Sequence, residues 1–254
     1  MTTNATLQYT QISTPCYTRF TRRQQAVICM LFDTIKRDNL ASFKEGVSKA
    51  SVELSIPEYA ALELRNPVDE TLFMASTKVR ESCIFDYLIS KDTDITAKTS
   101  SGKTALVISI RRKDISKTRR IIGIHPETAL EVDNRGRNCI SHAILACNGA
   151  ARDFLLSLNP MPDVNQAERL TMATPIMHSA SLDDTESIMI LKRHGADPHK
   201  LDCKGRAAED YSENLLTKLT LRLDSPNEIR KALLHFKSQQ EKKVLKRSLK
   251  AYPY

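Results

Sequence analysis

The chain has 254 residues, 41% of them hydrophobic and 27% charged, with a formal net charge of +8. That is enough apolar material for a substantial core and excludes wholesale disorder, while the longest apolar run, Ala26 to Phe32, falls far short of the ~20 residues a membrane span needs. The charge sits at the two ends: residues 1–23 contribute +3 and residues 226–254 contribute +6, which leaves the middle at −1.

Residues 1–20 are rich in Thr and Gln, contain Pro15 and lack periodicity, so they read as an extended or mobile arm. Arg22-Arg23 ahead of Ala26–Phe32 superficially matches a signal peptide, but the run ends at Asp33 with no small-residue cleavage pattern. A cytoplasmic chain without signal peptide or transmembrane segment is expected. The six cysteines (16, 29, 83, 139, 147 and 203) form no CxxC pair and no zinc-finger spacing with the six histidines. That pattern predicts reduced thiols packed as small apolar side chains.

Residues 21–65 read as a helical cap with an insertion. Thr21 is an N-cap for a first helix whose face carries Val27, Met30, Leu31 and Ile35. After the polar turn Arg37-Asp38-Asn39, Leu40, Phe43 and Val47 mark a second helix, and Ser55 to Arg65 is an insertion with a short extra helix.

From residue 66 to 211 the chain repeats. Thr71, Thr104, Asn138, Thr174 and Ala207 occupy one equivalent position, the start of a helix, at spacings of 33, 34, 36 and 33. Gly102, Gly136 and Gly205 precede that position by two residues, where a loop needs freedom from Cβ constraint. Asp69 stands there in the first unit, and Arg169 to Ala173 blur the pattern in the fourth. Residues 171–211 are the most regular stretch, with Thr174-Pro175-Ile176, then Ile188, Ile190 and Leu191, then Gly195-Ala196-Asp197. Leu88, Ile89, Ile121, Ile122, Leu155, Leu156, Ile190 and Leu191 are the candidate core, stacked between neighbouring units.

Residues 212–254 read as a helical extension. Leu215, Leu216, Leu219 and Leu221 give a leucine-rich helix, and Ser225-Pro226-Asn227-Glu228 starts another, which fades into a basic tail.

The order helix, tight turn, helix, Gly stop and loop, at a period near 33, resembles the ankyrin repeat. The resemblance implies an all-α ankyrin-repeat solenoid of four to five repeats, with a helical N-terminal cap and a C-terminal helical extension. It also assigns recognition positions to hairpin-loop tips and to the solvent side of each first helix. Those positions are Lys103, Arg111 and Arg112, then Asn134, Arg135 and Arg137, then Ser181 and Leu182, then Lys204 and Arg206. Because the middle of the chain is neutral overall, arginine and lysine gathered on one face would suit an acidic partner. The competing reading is that charges at exposed tips are simply solvated.

No phosphate-binding Gly loop, kinase signature or nucleophile elbow is present. His142 and His178 lie one residue past the histidine of the usual TPLH motif and are expected to hydrogen-bond within their repeats. His194 and His199 flank a loop and are too few for a metal site. Cys139 and Cys147, eight apart, are expected to pack in the interior.

These features predict a non-catalytic protein-interaction scaffold with no cofactor, no metal and no small-molecule substrate. Its divergent repeats and polar ends are reminiscent of the ankyrin-repeat effectors that intracellular bacteria deliver into the host cytosol. The alternative is nucleic-acid or anionic-lipid binding through the basic loop tips and Lys242, Lys243, Lys246, Arg247 and Lys250 of the tail, against the plainer reading of a solvated helix end.

Overall fold

The computed structural model of the protein describes residues 19–80 and 82–251, with side chains as far as Gln239 except Phe236. The expected arm lies almost wholly outside the described residues. Among those described, the regular elements are all helices, and extended pairing is limited to two isolated bridges, Arg65 with Thr71 and Val132 with Asn138. The chain divides into two compact units after Thr128.

The N-terminal unit opens with α1 (Arg22–Lys36) and α2 (Leu40–Leu54), followed by the short α3 (Glu58–Ala61) inside the expected insertion. Thr21 caps α1, as its sequence predicts, and Gln24 returns the contact to complete a capping box. The buried face of α1 is Val27, Ile28, Leu31, Phe32 and Ile35, whereas Met30, placed on that face by the sequence, is exposed. The apolar stripe is broad enough that Ile28 and Phe32 turn inward in its place. Two helix pairs follow, α4 (Leu72–Ser76) with α5 (Cys83–Ser90), and α6 (Ala105–Arg111) with α7 (Ile115–Ile124). Helices of five to ten residues are too short to be stable alone, so packing must supply their stability. Phe73 and Phe85 stack at 5.1 Å between ring centroids, and Leu72, Leu88, Leu106, Ile110 and Ile121 are fully buried around them.

The C-terminal unit has the pairs α8 (Cys139–Leu145) with α9 (Gly149–Leu156) and α10 (Pro175–Ser181) with α11 (Thr185–Arg193). A 3-10 turn at Ala208–Tyr211 then precedes α12 (Leu215–Arg222) and the long α13 (Pro226–Ala251). Its core draws on Ile140, Ile144, Leu155, Ile176, Met177, Ile188 and Leu191. Of the predicted core positions, Ile89 in the first unit and Ile190 here are only half-buried.

Four of the turns between paired helices share one construction. Asp38, Lys113, Cys147 and Asp183 each adopt a left-handed conformation (φ 47 to 59°) and are followed by an N-cap, namely Asn39, Asp114, Asn148 and Asp184. This corrects the cysteine expectation. Cys147 is exposed at the turn, Cys29, Cys83 and Cys203 are also exposed, and among the described residues Cys139 is the one cysteine packed inside, while Cys16 lies outside them. A thiol at the apex of a two-helix turn has no neighbouring helix to cover it.

Two of the turn aspartates reach the next pair. Asp38 accepts from Ser82 Oγ (2.8 Å) and from the backbone N–H groups of Cys83 (3.0 Å) and Ile84 (3.3 Å), which satisfies the start of α5. Asp183 accepts from Ser212 Oγ and from Thr217 Oγ1 (2.8 Å) near α12. Lysines close the opposite ends. Lys117 Nζ donates to the carbonyls of Ser76 (3.2 Å) and Val79 at the C-terminal end of α4, and Lys192 Nζ donates to those of Thr220, Leu221 and Leu223 at 2.9–3.1 Å at the C-terminal end of α12. Burial pushes the Lys117 ammonium below its usual pKa although Asp114 opposes the shift.

Candidate interaction surfaces

Four hairpin loops, those before α4, α6, α8 and the 3-10 turn at Ala208–Tyr211, have a frame set by one polar side chain five residues before the N-cap. Asn66 Oδ1 accepts from the N–H of Val68 (3.1 Å) and Glu70 (2.9 Å). Asp133 Oδ1 accepts from Arg135 (2.9 Å) and Arg137 (3.0 Å), and Asp202 Oδ1 from Lys204 and Arg206 (both 2.8 Å). Thr99 Oγ1 makes the corresponding bond from Lys103 N–H at 3.1 Å. These turns pre-order the loop tips through local bonds. The sequence carried the signal as Asp133-x-x-Gly136 and Asp202-x-x-Gly205, with Asn66-x-x-Asp69 and Thr99-x-x-Gly102 as variants.

The position after this frame is left-handed throughout. Gly102, Gly136 and Gly205 have φ of 75 to 83°, Asp69 has 63°, and in the blurred fourth unit Met172 takes the role with 57°.

In the N-terminal unit, hairpin tips and helix ends enclose an open groove of about 510 Å³. Val68 and Ile108 supply apolar surface, and Thr99 and Ser101 supply hydroxyls. Lys78 is paired with Glu70, so their charges cancel. Lys103, Arg111 and Arg112 also line the groove, and no ion pair among the described residues engages them. Three sequence-predicted positions are therefore brought together with their charge unneutralised, around a partly apolar floor.

In the C-terminal unit the predicted positions divide. Arg135 and Lys204 project at exposed tips, and Ser181 and Leu182 are exposed at the end of α10. Arg137 is engaged within the chain: its Nε and Nη2 donate to Asp133 Oδ2 at 3.0 and 2.8 Å, and it lies 3.8 Å from Glu168. Arg206 is likewise held, by Asp202 at 2.9 Å and by stacking over the Tyr211 ring at 4.5 Å. Sequence spacing does not show that an arginine two residues past a loop tip folds back onto the aspartate framing that loop.

His142 is fully buried with Nε2 3.1 Å from Asp133 Oδ2, and His178 Nε2 lies 3.2 Å from Glu168 Oε1, so both histidines serve the hairpins from within. Burial would raise the Asp133 pKa, but bonds from Arg137, aided by His142, hold the carboxyl below its usual range. Burial, with Arg137 nearby, holds His178 below the usual histidine value even though Glu168 opposes the shift. Asp202 is held well below its usual range: the N–H of Arg206, the Tyr211 hydroxyl and the Arg206 guanidinium outweigh the burial that would raise it, and Tyr211 is pushed up to about 12.

His194 and His199 are both exposed, and among the described residues no cluster of three or more metal-ligating side chains forms. The side chains of Lys242, Lys243, Lys246, Arg247 and Lys250 lie outside the described residues, although the backbone of α13 runs through them. No helix among the described residues is long and apolar enough to cross a membrane.

No family model and no curated protein matches the chain. Among solved structures it is similar to a chain in the complex of the Bd0816 predatory endopeptidase from Bdellovibrio bacteriovorus with immunity protein Bd3460. The TM-score is 0.58 at 20% identity, over 76% of this chain and 96% of that one. At that identity the likeness shows a shared helical fold alone. It also corrects one expectation. The lack of phosphate-loop, kinase and nucleophile-elbow motifs predicts no enzyme, yet the fold occurs in a structure containing an endopeptidase. Missing motifs exclude only the chemistries that those motifs carry, so the exclusion is withdrawn.

Proposed function

We propose that the helix pairs are divergent ankyrin-like repeats and that the protein binds a protein partner, with the groove of the N-terminal unit receiving an acidic segment of it. The observation that carries this reading is the convergence of Lys103, Arg111 and Arg112, which no ion pair among the described residues engages, on one groove with Val68 and Ile108 in its wall. Carboxylates would meet guanidinium and ammonium groups whose backbone is already set by a framed hairpin and a helix end, which lowers the ordering needed on binding. Apolar surface beside the charges favours a polypeptide over a simple inorganic anion. The five N-caps at near-33 spacing and the left-handed loop positions support the repeat assignment. The similar fold in a protein–protein complex supports a protein partner.

The test is affinity capture with the full chain, the Arg111→Glu/Arg112→Glu variant and a chain lacking residues 238–254. The proposal expects capture of a defined protein to survive the truncation and to fall at least about tenfold in the charge-reversal variant. Retained capture by the reversed groove, or loss on truncation with steep salt dependence, would transfer the function to the basic tail.

A further inference from the structure

The largest exposure of any big apolar side chain among the described residues belongs to Leu170, at 85%. It sits at the tip of the hairpin before α10, two residues from Met172, which is 48% exposed. Burial therefore explains neither side chain. Met172 also occupies the left-handed position that glycine fills in three of the other loops. Such a conformation is unfavourable for a residue with a Cβ. A loop that keeps an exposed thioether there gains nothing in fold stability from doing so.

The tip is nevertheless firmly built. Glu168 N–H donates to Ala173 O at 2.9 Å, Met172 N–H to Glu168 O at 3.0 Å, and Thr171 Oγ1 to Glu168 Oε2 at 2.7 Å. It is also bonded to the tips on either side, by Arg169 N–H to Arg135 O at 2.7 Å and by Cys203 N–H to Thr171 O at 2.9 Å. Those bonds place the exposed Arg135 and Arg169 on one flank of the apolar pair, and Lys204, next to Cys203, on the other. No ion pair among the described residues engages these three cations. The result is a pre-ordered apolar knob between two cationic flanks.

We propose that this row of hairpin tips in the C-terminal unit is a second docking surface, which takes an acidic amphipathic segment of a protein partner. The segment's apolar side chains cover Leu170 and Met172 while carboxylates on both sides meet Arg135, Arg169 and Lys204. Charge complementarity selects the segment and apolar contact holds it. The surface is built from residues of the C-terminal unit alone.

The probe is a synthetic peptide with a Leu-Phe pair between two runs of three glutamates, titrated into the full chain at low ionic strength by calorimetry. Leu170→Ser should weaken binding about tenfold, consistent with losing part of one leucine side chain's burial. Arg135→Glu with Lys204→Glu should weaken it at least as much and flatten its salt dependence. A control peptide with Ser-Ser in place of Leu-Phe should bind about tenfold more weakly to the unaltered protein and lose nothing further with Leu170→Ser. Because Leu170 and the two cations are exposed, thermal melts should be unchanged in these variants. The proposal is overturned if the peptide does not bind, if Leu170→Ser leaves the affinity intact, or if the Ser-Ser peptide binds equally well. It is also overturned if only Arg111→Glu/Arg112→Glu abolishes binding, an outcome that supports the N-terminal groove as the receptor instead.

Discussion

Single residues hold the loops in their left-handed conformation, and two of them make opposite predictions. Gly136 has φ of 83°, and a Cβ there would stand 2.9 Å from Arg169 Cγ and 3.1 Å from the Arg169 backbone nitrogen. Gly136→Ala should therefore cost about 2 kcal/mol or more, read from the urea midpoint of unfolding. Met172→Gly relieves the same backbone constraint and should stabilise the protein by about 0.5–1 kcal/mol after the greater unfolded-state freedom of glycine is counted. Asp133 joins two loop N–H groups, Arg137 and the buried His142, so Asp133→Ala should cost about 3 kcal/mol by leaving a partly buried cation without its partner. His178 adds a pH dependence. Its pKa is lowered on folding, so the unfolded chain binds more protons, and stability is lost as pH falls through the unfolded value near 6.5 towards the folded one. Urea midpoints at pH 7.5 and 5.5 should show this decline, and His178→Gln should flatten it.

Helices were the most legible level. Thr71, Thr104, Asn138, Thr174 and Ala207 all precede helical turns as their spacing predicts, because capping and period are local properties written in consecutive residues. Met30 was misplaced because periodicity gives the direction of an apolar face but not its width. The Asp38 cap on α5 was invisible because it joins positions more than forty residues apart. Asp38→Ala removes three bonds at the start of α5 while leaving the Ser82 cap in place, which predicts a loss of about 1–2 kcal/mol. Faster amide exchange at residues 83–86 than in α6 would locate the loss in that helix. Candidate site residues were partly legible for the same reason. Arg111 and Arg112 lie where a helix end must be exposed, whereas the fate of Arg137 and Arg206 depends on aspartates whose loops fold them back.

For the whole molecule, charge placement matters more than total charge. The basic excess lies at the chain ends, yet the described structure shows a local concentration of unpaired cations in a middle segment that is close to neutral overall. That placement separates binding through built surfaces from binding through a basic tail. The most direct measurement is an amide-resolved NMR titration of the full chain with an acidic decapeptide of alternating Glu and Leu. The groove account predicts shifts at residues 99–103 and 108–112, beside those that the second surface would give at residues 135, 169–172 and 204, and only the first set should lose at least about tenfold in apparent affinity with Arg111→Glu/Arg112→Glu. Shifts confined to residues 226–251, or identical titrations of the unaltered and reversed proteins, would contradict it.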